Sequence, residues 1–375
     1  MPRIRVLVVD DAVVFRRLVS DELSADPALE VVGTAANGKI ALAKLTQVNP
    51  DVVILDVEMP EMDGLATLRE IRKSHPRLPV VMFSALTERG AEVTLDALSL
   101  GATGYFPKPF GTRGMTDSLR VIRTDLIPQI KALCARTTPA PAGPASSRRI
   151  AGGSHCGRLD AVPVSNSTGI RSPASPPPAR IDVVAVAAST GGPNALTDVL
   201  GALPADLPVP VVVVQHMPPT FTRLLADRLN ARGPLRVQEG RAGEHLAPGC
   251  VWIAPGDFHM STVGDGGQVR LLVHQGVPEN SCRPAADVLF RSVARSFGAN
   301  VLAVVLTGMG QDGLRGCEVV KEAGGQVIVQ DEETSVVWGM PGFVSRAGLA
   351  DKVLPLPQVA LEIVRRARAV RGDGR

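Results

Sequence analysis

The sequence predicts an α/β protein built from two doubly wound parallel sheets. Short Val/Ile/Leu runs alternate with amphipathic stretches along both halves of the chain, the pattern of strands joined by crossover helices. Between the halves lies a stretch dense in Pro, Ser and Gly. The length of 375 residues, at ~100–200 residues per domain, also favours two domains over one.

In the first half the runs are "IRVLVV", "LEVVGTA", "DVVILD", "PVVMFSA" and "TGYFPK", with helical patterns such as "VFRRLVSDEL" between them. Five strands in this alternation form an open parallel sheet, and functional groups collect beyond the carboxyl ends of its strands. Residues 137–180 carry few large apolar side chains and cannot offset the entropy of ordering. They are expected to form a flexible linker, in which His155 and Cys156 carry little weight as ligands. The second half repeats the alternation with "DVVAVAA", "PVVVVQ", "RVQEG", "VWIAP", "NVLAVVLTG" and "QVIVQD", and "VGDGGQVRLLV" has the character of a hairpin. The expected domains are therefore 1–133, a linker over 134–180, and 181–375.

Composition bounds the function. A net charge of +3 from 40 basic and 37 acidic residues gives no field suited to nucleic acid or an anionic membrane. The basic terminal "RRARAVRGDGR" reads as a solvated helix end. With 45% hydrophobic but only 3% aromatic residues, the cores must consist mainly of Val, Leu, Ala and Ile. The five cysteines are odd in number and form no C-x-x-C pair, as for reduced thiols used in packing. There is no signal peptide before Asp10 and Asp11, and no apolar stretch approaches ~18 residues, so a cytoplasmic protein is expected.

The first strand ends in Asp10 and Asp11, and the third ends in Asp56. Three converging carboxylates repel unless a cation neutralises them, and an all-oxygen site suits Mg²⁺. Ser84 ends the fourth strand and Lys108 follows the fifth, adding a hydroxyl and a cation suited to a phosphoryl group. Helix capping explains any one of these aspartates. Five residues at suitable strand ends are harder to dismiss.

In the second half "VAVAASTGGP" ends an apolar run in Ser189-Thr190-Gly191-Gly192. It lacks the glycine spacing of a dinucleotide or P-loop cradle. A turn or N-cap is one remaining reading, and a strand-to-helix elbow presenting the Ser189 hydroxyl is the other. A nucleophilic serine needs a base and a group to orient that base. His216 ends the next strand run, and Asp312 follows "NVLAVVLTG" toward the same sheet edge. His245 and His259 compete as the histidine, and Asp331 as the carboxylate. The glycines of "TGMGQDG" allow close backbone approach, which makes the Met309 N–H a candidate oxyanion donor.

The first-half residues resemble the receiver domain of bacterial response regulators, a flavodoxin-like fold. The resemblance implies Asp56 as phosphoacceptor, and Mg²⁺ held by Asp10, Asp11, Asp56 and the Glu58 backbone carbonyl. It also implies Ser84, Tyr105 and Lys108 as switch residues. Phosphorylation would draw Ser84 and Lys108 inward and bias the face made by the fourth helix, fifth strand and fifth helix. "AASTGGP", "VVVVQHMPPTFT", "WIAPGDFHM", "NVLAVVLTGMGQDG" and "VIVQDEETSVVWGMP", following that receiver, resemble the chemotaxis protein-glutamate methylesterases, the CheB family.

This second resemblance implies a Rossmann-like catalytic domain without a cofactor. Ser189 would attack glutamyl methyl esters on methyl-accepting chemoreceptors, with His216 as base and then acid, and Asp312 holding its tautomer. It further implies deamidation of certain glutamines and phosphorylation by a chemotaxis histidine kinase. The unphosphorylated receiver would pack on the catalytic domain and obstruct access. Ala187 stands where the family has glycine, "CRPAAD" where RPS-x-D is common, and "GMPGF" where GMPRA is. A helix-turn-helix output and a dehydrogenase domain lack their signatures in the second half. A catalytically silent scaffold is the remaining alternative.

Overall fold

The computed structural model describes residues 2–108, 115–135, 180–264 and 268–369. Its first sheet contains β1 (Ile4–Val9), β2 (Leu29–Ala35), β3 (Val52–Asp56), β4 (Val80–Ser84) and β5 (Gly104–Pro107), in the order β2-β1-β3-β4-β5. Every pairing is parallel. Around it lie α1 (Val13–Ser24), α2 (Gly38–Val48), α3 (Gly64–Ser74), α4 (Glu88–Ser99), α5 (Met115–Val121) and, after a π-helical turn over Ile122–Leu126, α6 (Ile127–Cys134). Helix starts are fixed by side chains: Asn37, Asp63 and Thr87 each accept from a backbone N–H of the first turn. All of β3 is buried, which carries Asp56 to the sheet edge from a dry interior.

The second unit comprises β6 (Val183–Ala188), α7 (Gly192–Gly201), β7 (Val211–Gln215), α8 (Phe221–Arg232), β8 (Arg236–Glu239) and β9 (Cys250–Ile253). The chain continues through β10 (His259–Val263), β11 (Arg270–His274), α9 (Ala286–Phe297), β12 (Val301–Val305) and α10 (Leu314–Glu322). It ends with β13 (Gln326–Gln330), α11 (Met340–Arg346), β14 (Lys352–Leu354) and α12 (Leu356–Arg368). Seven strands form a parallel sheet in the order β14-β13-β12-β6-β7-β9-β8, while β10 and β11 pair antiparallel as the expected hairpin. The short β14 has two exposed residues and no apolar run to announce it.

β6 is buried at every position because both faces are covered. Val184, Val186 and Ala188 join a core with α7, α8 and α12, and Val183, Ala185 and Ala187 join one with α9, α10 and α11. Each buried Val contributes about 1.5–3 kcal/mol. The chain leaves β6 toward β7 on one side and returns to β12 on the other. This reversal opens a crevice at the carboxyl ends of β6 and β12, the usual place for a site.

The two units share an apolar cluster that runs from the first sheet through α4, α7 and α8 into the second. The linker expected over 134–180 lies outside the described residues, apart from Cys134 and Ala135, which finish α6, and Arg180.

Candidate functional site

At the edge of the first sheet, Asp10 and Asp56 are buried and Asp11 is exposed; one ligand oxygen from each lies within 4.8 Å of the others. Lys108 Nζ stands 2.8 Å from Asp10 Oδ2 and 2.8 Å from Asp56 Oδ2. Burial pushes the Asp56 carboxyl up to about 6 against the opposing pull of Lys108. The Ser84 hydroxyl donates to Gly90 O at 2.9 Å. Glu58 is exposed, with its carboxylate 3.9 Å from Arg89. This all-oxygen donor set fits a hard divalent cation.

In the second unit, β6 turns sharply into α7. Ser189 N–H donates to Thr307 O (3.0 Å), and Ser189 O accepts from Gly192 N–H (2.8 Å) and from Gln215 Nε2 (2.9 Å). Gly191 has φ +80°, and a Cβ there would lie 2.6 Å from Val336 Cγ2. On Gly192 a Cβ would meet Gln215 Oε1 at 1.9 Å. Gly191 is thus suited to its left-handed backbone and Gly192 to the close approach of Gln215, and the half-buried Ser189 stands on a tightly held elbow. The Ala187 methyl is accommodated in the core, 3.9 Å from where a Cβ on Gly313 would be.

His216 follows β7, and Asp312 lies in the loop between β12 and α10. His216 Nε2 is 2.8 Å from Asp312 Oδ2, so Asp312 accepts from Nε2–H and the lone pair of the neutral ring lies on Nδ1. Nδ1 is 3.7 Å from Cys282 Sγ. Burial opposes the imidazolium, but Asp312 and Cys282 together raise the His216 pKa above its ordinary value. No hydrogen bond links Ser189 to His216 among the described residues. Met309 is half-buried, and its N–H has no acceptor among the described residues.

The competitors have other work. His259 is buried, its Nδ1 accepting from Ala285 N–H (3.2 Å) and its Nε2 facing Val277 O (3.0 Å). His245 is exposed near β8 and β9. Asp331 Oδ1 accepts from Thr334 N–H (2.9 Å) and its hydroxyl (2.6 Å), closing a turn. Asn280, Cys282 and Asp287, around the "CRPAAD" stretch, meet at the His216–Asp312 pair although their spacing gave no sign of it. Gln215 and Thr307 likewise brace the elbow, Thr307 Oγ1 donating to Thr190 O at 2.9 Å.

The first unit packs against the second beside this edge. Tyr105 stacks on Phe221 with ring centroids 5.2 Å apart, and burial raises its phenol pKa. Asn194 Nδ2 donates to Leu98 O (2.8 Å), while Arg223 pairs with Glu88 and Arg228 with Asp96. Gly104 faces Thr190, with 3.7 Å from its would-be Cβ to Thr190 Cγ2. Met309 and Val336 pack against an apolar cluster otherwise built from the first unit and Val337.

Comparisons agree with this two-part architecture. Residues 6–120 match the family model described as response regulator receiver domain, and residues 184–363 match the one described as CheB methylesterase. A protein-glutamate methylesterase/protein-glutamine glutaminase of Trichodesmium erythraeum is 49% identical over 98% of this chain and 99% of its own. The chain belongs to the CheB family. A second CheB relative of that name, from Nocardioides sp., is 50% identical over 98% of this chain and 96% of its own. The crystal structure of the Thermotoga maritima CheB methylesterase catalytic domain matches with 43% identity and a TM-score of 0.49, covering 49% of this chain and 98% of that one. Family membership makes this chain a protein-glutamate methylesterase with a receiver domain and sets the silent-scaffold alternative aside.

Proposed function

We propose that Ser189, His216 and Asp312 hydrolyse glutamyl methyl esters on the cytoplasmic helices of methyl-accepting chemoreceptors, and deamidate glutamines there by the same route. The observation that supports this most is the His216–Asp312 bond at the edge that carries the Ser189 elbow. Asp312 fixes Nε2–H, which leaves Nδ1 to take the Ser189 proton as Oγ bonds to the ester carbonyl carbon. The Met309 N–H stabilises the oxyanion. Collapse breaks the C–O bond, and the imidazolium proton leaves with methanol. Water then attacks the acyl carbonyl, giving one proton to Nδ1; the acyl C–Oγ bond breaks as Oγ takes that proton back, and the glutamyl acid releases its remaining proton to solvent as it departs.

The chain divides into a receiver over 1–133, a linker over 134–180 and an esterase over 181–375. A chemotaxis histidine kinase phosphorylates Asp56. Asp10, Asp11, Asp56 and the Glu58 carbonyl would hold Mg²⁺, which supplies charge neutralisation for the incoming phosphoryl group. Ser84, Tyr105 and Lys108 then respond, and the contacts of Tyr105 and α4 with α7 and α8 give way, opening the crevice. Nucleic acid and membrane insertion have no part in this reading, which places the protein in the cytoplasm; no described helix is long and apolar enough to cross a membrane.

The test is release of labelled methanol from methylated receptor membranes. Ser189→Ala is expected to lower kcat by on the order of 10⁴-fold or more, with thermal unfolding nearly unchanged. Retained turnover would overturn the nucleophile assignment.

A further inference from the structure

We propose that Asn280 is a positioning residue, a clamp that holds the carboxylates of Asp287 and Asp312 as one fixed pair so that Asp312 presents its other oxygen to His216. The proposal rests on the Ser189–His216–Asp312 reading. Asn280 Nδ2 lies 2.8 Å from Asp287 Oδ2 and 2.9 Å from Asp312 Oδ1, so each of its two hydrogens serves one carboxylate.

Both carboxylates are buried, at 1% and 2% exposure, and two such charges repel unless a donor lies between them. Asp287 cannot turn away, because its Oδ1 already accepts from Gly313 N–H (3.0 Å) and Gly316 N–H (2.6 Å). At Asp312 Oδ1 the other donors are the backbone N–H groups of Asp287 and Gly313, each at 3.1 Å. Asn280 makes the shortest bond there. Ala286 N–H holds Oδ2 directly (2.6 Å), and the donors at Oδ1 fix the other end of the carboxylate plane, so together they set the direction of Oδ2 toward His216.

The loop is built to deliver this amide. Asn280 has φ +53°, a left-handed conformation that asparagine tolerates better than most non-glycine residues. Glu279 and Cys282 exchange backbone hydrogen bonds at 3.1 and 2.8 Å across it. On one flank Glu279 binds Arg291 through both oxygens (2.7 and 2.5 Å), and on the other Arg283 grips Asp257 (3.1 and 2.6 Å). The remaining ionisable groups around the clamp are His216, Cys282, Glu279, Arg291 and the buried Cys317. Asn280 itself is exposed at the rim, so replacing it removes a donor without opening the core.

The test uses the full-length protein. Asn280→Ala is expected to lower kcat for methanol release by on the order of 10²-fold with KM little changed, the mark of a misplaced group rather than lost substrate binding. The low-field proton resonance of His216 Nε2–H is expected to move or broaden while thermal unfolding persists. Asn280→Asp replaces the donor by a third carboxylate; its loss is expected to be largest at neutral pH and to shrink as pH falls and a proton returns. An Asn280→Ala protein with wild-type kcat and an unmoved resonance would overturn the clamp. Full turnover in Ser189→Ala would sink the triad instead, and the resonance would still report on Asn280.

Discussion

The two carboxylate centres of this molecule are provisioned in opposite ways. Asp312 is saturated: His216 and Ala286 N–H bind one oxygen, and Asn280, Asp287 N–H and Gly313 N–H bind the other. Asp56 is also buried, but among the described residues its donors are Lys108 and the backbone at Glu58, with Asp10 and Asp11 crowding beside it. Burial accordingly drives its pKa upward, whereas the donors around Asp312 overcome burial and drive that pKa down. A carboxylate that must form a bond needs lone pairs left free. One that must hold another group still needs them all engaged.

The sharpest way to break this comparison is Asp312→Asn. An amide brings its own hydrogens toward groups that are themselves donors, so kcat should fall by on the order of 10⁴-fold and thermal stability should drop too. The pH dependence follows the same pair. Because His216 is raised above 6.5, the acid limb of kcat/KM is expected above that value, with activity lost as pH falls through it. In Asp312→Asn the limb should move down toward 6.5. For the fold the sign is opposite: the ion pair stabilises fully below 6.5 and its contribution fades as pH rises through the raised pKa. A loss of less than about tenfold, with an unmoved limb, would reduce Asp312 to a structural role.

A smaller effect is expected at the open centre. Coupling between sites is commonly about 5- to 150-fold, so a small phosphodonor with Mg²⁺ should raise esterase activity within that range, and Asp56→Asn should remove the response. An Asn variant that responds equally would disqualify Asp56 as the switch. The smallest change should come from the surface between the two centres. Arg228→Ala removes one partly exposed ion pair worth about 0.2–1 kcal/mol, and should raise basal activity by no more than about fivefold. A larger rise would mean that Arg228 contributes more than an ordinary surface pair.

Much of the architecture was legible because buried parallel strands leave unbroken apolar runs, as in "DVVILD" and "VVVVQ". The elbow was legible as well, since Gly191 answers a left-handed backbone and Gly192 leaves room for the Gln215 side chain. Asn280, Cys282 and Asp287 were not. Asn280 and Cys282 lie in the connection between the hairpin and α9 and Asp287 in the first turn of α9, and they meet at the His216–Asp312 pair through tertiary placement, which leaves no period in the sequence. Ser84 shows a different limit: its strand end was legible, but its rotamer, turned to Gly90 O, was not. Asp331 had an equally suitable strand end, but it closes a turn on Thr334 whereas Asp312 meets His216.

The stacking of Tyr105 on Phe221 has an evolutionary corollary. One ring comes from each half, and the surrounding contacts are equally bipartite, Asn194 reaching for Leu98 and Arg228 for Asp96. The halves are thus not interchangeable parts, and a drift in one surface must be answered in the other. A receiver transplanted from an unrelated regulator could keep every residue of the phosphorylation chemistry and still leave the esterase ungoverned.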